Sequence, residues 1–266
     1  MVSTTPQLLV TDLGTLPYTD ALILQRAAAR ARMAGAFDED LLLLVEHPPV
    51  VTQGRSSKEE HLLASPELLA ARGVELHEVE RGGDVTFHGP GQLVGYPVID
   101  LKRHTRDLHW YLRQVEAALI VAMAPLGIAG ERRPGFTGVW AGRRKLASIG
   151  VHVRDWVTWH GFALNITTDL SYFDLIVPCG INAVEMTSIA RELARENSLA
   201  EPASDSVFRS AFPDISGIRG ISATGADLER IVRSHVVCGF AAVFALEAAT
   251  LDPSDLERVA GTFFPA

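Results

Sequence analysis

The sequence predicts an α/β (α+β) fold built on a mixed or antiparallel sheet with helices outside it. Three observations carry this. Apolar runs of strand length, LLLLVEH (41–47) and LVGYPVIDL (93–101), are interleaved with stretches of helical periodicity. These elements do not alternate as regular βαβ units, which argues against a doubly wound parallel sheet. From 139 to 166 the chain reads as successive strands broken by turn pairs at Gly142-Arg143 and Arg154-Asp155, the pattern of antiparallel hairpins.

Taken in order, residues 7–13 form a first strand and Tyr18 to Ala36 a helix with Thr19 or Asp20 as cap. The strand 41–47 ends at His47-Pro48-Pro49, and 50–55 is a second short strand or extended loop. Residues 56–73 read as two short helices, the second capped by Ser65, and VELHEVE (74–80) alternates as a strand. Asp107 to Leu126 is a long amphipathic helix with Leu112, Val115, Leu119, Ala122 and Met123 on one face. ERRPGFTG (131–138) reads as a turn-rich linker. A closing helix is expected from Asp227 to Ala248, and a last one from Asp252 to Val259 with Pro253 or Ser254 at its cap. Residues 197–225 are rich in Ser, Pro, Gly and Ala and longer than an ordinary connection, so they read as an insertion or mobile flap within one domain spanning 1–266.

A length of 266 residues is enough for a substantial core. A net charge of −8 argues against non-specific nucleic-acid binding, which needs a basic face. No apolar run reaches the length of a membrane span. The first residues lack the charged start and apolar run of a signal peptide, and two cysteines make no disulfide framework. A cytoplasmic protein is expected.

The chain is organised around RGGDVTFHGPGQ (81–92), which leads straight into a buried strand. Its four glycines let main chain approach a ligand closely. Arg81, Thr86, His88 and Gln92 in so short a span favour a binding site over an ordinary tight turn. Cys179 lies between Pro178 and Gly180, on a turn expected at the protein surface, and from the residues alone it fits either a reactive or a structural cysteine. Cys238, among apolar residues of the closing helix, reads as structural and buried. His88 fits either a site-lining group or a brace for its loop. His152 and His160 flank a predicted hairpin, where strand pairing would bring them together. A metal site needs further ligands, and no Cys/His/Asp cluster at ligand spacing supplies them, so no metal is expected. His47, His61, His77, His104, His109 and His235 carry no signal.

RGGDVTFHGPGQLVGYPVIDL, GRRKLASIGVHV with HGFALNI, and PCGI followed by Thr187-Ser188 together resemble the signature of the lipoyl(octanoyl) transferases, in the expected order over about residues 10–195. One departure is Phe87, where that family usually carries tyrosine. The resemblance implies the fold of the biotin- and lipoate-protein ligases, with a larger and a smaller sheet. It implies that Cys179 carries the acyl group as a thioester and that Lys145 is its proton partner. It also implies substrate contacts at Arg81, Gly82, Gly83, Asp84, Val85, Thr86, Phe87 and His88, at Ser148, Ile149 and Gly150, and at Gly161, Phe162 and Ala163. Glycine and alanine in the last two groups leave room for a straight chain, while Asn165 braces the strand end. Implied partners are octanoyl-acyl carrier protein, lipoyl domains of 2-oxoacid dehydrogenases and the glycine cleavage H protein, with no cofactor, nucleic acid or membrane. Arg132, Arg133, Arg143 and Arg144 are the expected dock for an acidic carrier. The alternatives are an ATP-dependent lipoate or biotin ligase on the same fold, a thioesterase, and a non-catalytic module that binds the carrier or the lipoyl domain.

Overall fold

The computed structural model describes residues 6–181, 183–199 and 225–261. The first unit is β1 (Gln7–Thr15), α1 (Tyr18–Met33) and β2 (Asp40–Glu46), with β1 and β2 parallel and joined by the helix. β2 is the apolar run DLLLLVE, buried along almost its whole length, so both of its faces must be covered. Pro17 stands at the start of α1 without a side-chain cap, so neither Thr19 nor Asp20 plays that part, and the helix stops at Met33.

Beyond β2, the next strand of the sheet is β6 (Gln92–Val98), which runs antiparallel to it. Then come β10 (Val157–Asn165), β9 (Arg144–Arg154), β8 (Phe136–Ala141) and β7 (Gly130–Arg133), all antiparallel. β11 (Glu185–Met186) pairs with β9 in parallel and is followed by α4 (Ile189–Leu199), and β12 (Glu247–Thr250) pairs with β1 in parallel. The sheet is therefore mixed. A smaller sheet holds β4 (Glu75–Glu78), β3 (Val50–Gln53) and β5 (Thr86–His88), in that order. A larger and a smaller sheet are what the resemblance implies.

One face of the large sheet is covered by α3 (Leu108–Met123) and α5 (Gly225–Phe244), the other by α1 and α6 (Pro253–Ala260). Asp107 caps α3 by accepting from the His109 and Trp110 N–H groups. Ser65 caps α2 (Pro66–Ala71), as expected. Gly239 lets α5 meet α3 closely, since a Cβ there would lie 2.3 Å from the Ala118 carbonyl oxygen. No helix among the described residues is long and apolar enough to cross a membrane.

Several local expectations are corrected. Residues 131–138 are not a linker but contribute to the β7–β8 hairpin, whose outer strand is exposed and polar. The closing helix ends at Phe244, Ala245 turns the chain at φ 55°, and the alanines that follow form β12 instead of a helix. The β9–β10 turn residues are Asp155 and Trp156, both at positive φ, one position later than read, because Arg154 already pairs with Val157. His152 therefore faces Trp159, and His160 faces Val151, so the two histidines are not paired. Asp252, not Pro253 or Ser254, caps α6 by accepting from the Ser254 N–H. Cys238 is exposed rather than buried, because its position on α5 points away from the α3 contact that Gly239 makes. The stretch 197–225 lies, from 200 to 224, outside the described residues.

Candidate active site

The site is built where the two sheets meet. The segment from Arg81 lies beside the part of β9 beyond Ala147, where β8 no longer pairs with it, and the Gly82 N–H donates to the Val151 carbonyl at 2.8 Å. This approach explains Gly150, whose Cβ would sit 2.7 Å from the Gly82 oxygen. Gly161 is likewise required by main chain, since its Cβ would strike the Gly95 oxygen at 2.2 Å. Backbone packing by itself therefore requires both glycines, whatever room they also leave for a ligand.

Arg81 holds the loop from within. Its guanidinium donates to the Thr52 carbonyl (2.6 Å) and hydroxyl (2.8 Å) and to the Asp84 carbonyl (2.7 Å). Two amide side chains complete the brace. The Gln92 amide donates to the Phe87 carbonyl and to Asn165 Oδ1, and the Asn165 amide donates to the Thr187 carbonyl. Asn165 thus braces the strand end, as expected.

Cys179 sits on the turn Pro178–Gly180 at φ 57°, an uncommon conformation for a residue with a side chain. Its N–H donates to the Val85 carbonyl at 2.9 Å, so that donor is already engaged. Lys145 comes from β9, opposite Trp140, next to a register shift in the β8–β9 ladder. Gly138 makes room for the lysine stem, since a Cβ there would lie 3.0 Å from Lys145 Cε. The lysine is buried, its Nζ lies 3.1 Å from Cys179 Sγ, and the Trp140 ring faces it at 5.5 Å. The Ser148 hydroxyl is 3.5 Å from the same sulfur. Burial pushes the Cys179 thiol up, but the Lys145 charge, the Ser148 and Lys145 hydrogen bonds and Arg81 together outweigh it and hold the thiol below its ordinary value. Arg144, next in the chain to Lys145, is turned to Glu192 at 2.8 Å.

A cavity of about 410 Å³ opens beside this pair. Lys145, Cys179 and Ser148 line it with Arg81, Gly82, Gly83, Asp84, Thr86 and His88, and so do Ile149, Gly150, Gly161, Phe162 and Ala163. Val85 and Phe87 are not on its wall. Their side chains are buried in the apolar cluster of the small sheet, where Phe87 stacks on Tyr172 at 4.6 Å. The ring is closely packed by Gly89 as well.

One wall is polar, and of its residues the resemblance implied only His88. Tyr18, Tyr96, His88 and His160 line it, and His47 stands behind. Burial lowers His88 to about 3, and its Nδ1 meets Gln92 Oε1 at 2.8 Å. Burial also lowers His47 to about 4. The His47 Nδ1–H faces the Leu16 carbonyl at 2.7 Å, which leaves Nε2 to accept from the Tyr96 hydroxyl. Burial raises Tyr18 to about 12, so both tyrosines stay neutral. The signal that could have found Tyr96 was a phenol inside a wholly buried strand, a group that needs a partner. His61 and His47 gave no such signal, because their partners are remote in sequence.

The lipoyl protein ligase A/B catalytic domain family matches residues 17–207. The octanoyltransferase of Gloeobacter violaceus is 50% identical over 173 residues, covering 65% of this chain and 76% of that protein. That of a Nostoc species is 42% identical over 234 residues, covering 88% of this chain and 90% of that one. The chain belongs to the octanoyltransferase family. The fold agrees with this membership. A lipoate-protein ligase A bound with ATP superposes with a TM-score of 0.66 at 16% identity, covering 98% of this chain and 94% of that one. A bi-partite lipoate protein ligase from Thermoplasma acidophilum gives 0.62 at 16% identity, with 97% and 92% covered. At that identity the likeness concerns the fold alone. Three of the four arginines of the expected basic dock have contacts of their own. Arg132 pairs with Glu116, Arg144 with Glu192, and Arg133 lies 5.0 Å over the Trp140 ring. Arg143 alone of the four is an exposed turn residue without such a partner among the described residues. Among the described residues no group of three or more His, Cys, Asp or Glu side chains is gathered as metal ligands.

Proposed function

We propose that octanoyl transfer in this acyltransferase runs through a thioester on Cys179, with Lys145 moving the protons. The single observation that carries the reading is the 3.1 Å contact between a buried lysine and a cysteine whose thiol is held low, at the edge of a cavity. The acceptors are proteins with lipoyl domains, and the donor in this proposal is octanoyl-acyl carrier protein.

The thiolate attacks the carbonyl carbon of the carrier thioester, and the carbon–sulfur bond to the carrier breaks. The departing carrier sulfur takes a proton from the Lys145 ammonium. The acceptor amine, in its neutral form, then attacks the enzyme thioester and gives its proton to Lys145, restoring the ammonium. The amide forms and Cys179 leaves as thiolate, so protons balance over the cycle. The Cys179 N–H is engaged with Val85 and does not serve as an oxyanion donor. The Thr86 hydroxyl, buried without a partner among the described residues and on the cavity wall, is a candidate for that part beside Ser148. In this reading the acyl group lies along Ser148–Gly150 and Gly161–Ala163, under the loop Arg81–His88.

Intact-mass spectrometry tests it. Mixed with octanoyl-acyl carrier protein and no ATP, the protein gains one octanoyl mass. Hydroxylamine removes it, and a lipoyl domain discharges it. Cys179→Ala gains none. Transfer without any adduct in rapid-quench samples would count for direct transfer in a ternary complex, and transfer only with ATP and free acid for a ligase.

A further inference from the structure

We propose that Asp84 and His61 act as a positioning pair that sets Cys179 for attack, a role that rests on Cys179 being the nucleophile. Cys179 holds a positive φ without being glycine, so the surrounding structure must impose its conformation. The clasp is visible on each side of the turn. The Val177 N–H donates to the His61 carbonyl at 2.8 Å, and the Cys179 N–H to the Val85 carbonyl at 2.9 Å. Leu62 and Ile176 form an antiparallel bridge beside them.

The Asp84 carboxylate joins these two supports. Its Oδ1 accepts from the Val85 N–H at 2.7 Å, and its Oδ2 accepts from the His61 Nδ1–H at 2.6 Å. Gly180 is seated directly against the pair. A Cβ there would lie 2.5 Å from Asp84 Oδ2 and 3.1 Å from His61 Cε1. His61 is 23 residues from Asp84 in sequence and is largely covered, as is Asp84. Among the described residues its other ring nitrogen has only the distant Glu60 carboxylate at 3.9 Å. The chemical steps above use neither side chain. What the pair controls is the placement of residues 177–180, and so the meeting of Sγ with Lys145 Nζ.

The test uses the full chain in a Cys238→Ser background, so that alkylation reports Cys179. Asp84→Ala, His61→Ala, the double variant and His61→Asn are compared by iodoacetamide alkylation followed by mass, by single-turnover octanoyl loading, by KM for the carrier and by thermal melting. Each alanine variant is expected to slow alkylation and loading about tenfold, the effect of losing one charge-assisted hydrogen bond that orients a reacting group. KM stays within about twofold of wild type, the double variant is no slower than the slower single one, and His61→Asn restores most of the rate, its amide standing near the Nδ1 position. Full-speed alkylation and loading in both alanine variants overturns the proposal. So does a rise in KM alone, which would make Asp84 a substrate contact, or losses that multiply in the double variant. If the alanine variants do not fold, Asp84→Asn and His61→Asn decide. The first is expected to slow alkylation and the second to preserve it, and equal rates overturn the pair. If wild type forms no octanoyl adduct while alkylation still depends on the pair, the thioester reading falls and takes the catalytic role of the pair with it, leaving only its hold on the Cys179 turn.

Discussion

Cys179 and Lys145 are 34 residues apart in sequence and 3.1 Å apart in space. Of the influences that lower the Cys179 thiol, the charge of the buried Lys145 is the foremost. Lys145→Met leaves the burial that raises the thiol and deletes the charge that lowers it. The pH midpoint of Cys179 alkylation is therefore expected to move upward, towards or beyond the ordinary thiol value. Turnover should fall by about 10²–10⁴-fold, the usual worth of a positioned proton donor and acceptor. An alkylation profile unchanged from wild type would remove Lys145 from the activation of the cysteine. Cys238→Ser, by contrast, is expected to leave turnover unchanged, because that residue is exposed on α5 and lines no part of the cavity. At this scale the sequence pointed to both residues only through their motifs. Nothing in KLASIG alone says that its lysine is buried, and nothing near Cys179 in sequence names Asp84 or His61 as its supports.

The elements that were legible are those with a strong one-dimensional pattern. β2 and β6 are apolar along their length, and the β8–β9–β10 hairpins carry their turn pairs. The elements that were missed are those whose pairing depends on a remote partner. β12 is EAAT, helical by composition, and becomes a strand because the edge of β1 offers it hydrogen bonds. β7 is polar and exposed, and only its ladder with β8 marks it as a strand. The α3–α5 contact makes its own prediction. Gly239→Val would place a branched side chain against the Ala118 carbonyl, where even a Cβ comes within 2.3 Å. A loss of ~1–3 kcal/mol is expected from forcing the helices apart, read as a lower urea midpoint. An unchanged midpoint would mean that the helices separate freely and that this contact does not hold α5 on the sheet.

Across the molecule, acid stability follows from histidines buried in the neutral form. His47 and His88 have folded-state values of about 4 and about 3, against ~6.5 in an unfolded chain. Above that value both states are neutral and the pair adds no pH dependence. As pH falls below it, the unfolded chain binds protons that the folded one refuses. Stability then drops by ~1.4 kcal/mol per pH unit for each histidine until the folded values are reached. Glu80 and Glu192, held low by their partners, act in the same direction only further down, since their contribution is lost below the ordinary carboxylate range. The melting temperature is thus expected to be flat above about pH 6.5 and to decline below it. His47→Gln should make that decline shallower between the histidine and carboxylate ranges, and an identical slope would show that His47 takes up its proton in the folded state.

The sequence by itself determined the family, the mixed sheet and the identity of the loop and motifs that build the site. Glycine spacing, apolar runs and turn pairs are local properties, and each constrains the backbone within a few residues of itself. Only the tertiary structure decided which glycines answer to packing, that Val85 and Phe87 point away from the cavity, and that Arg132 and Arg144 are spent on internal carboxylates. It alone gathered the polar wall from Tyr18, Tyr96, His88 and His160, and set Asp84 and His61 against Gly180. The physical reason is the same throughout. Burial and pairing depend on groups tens of residues away, and a side chain's charge, tautomer and orientation are fixed by those groups rather than by its neighbours in the chain.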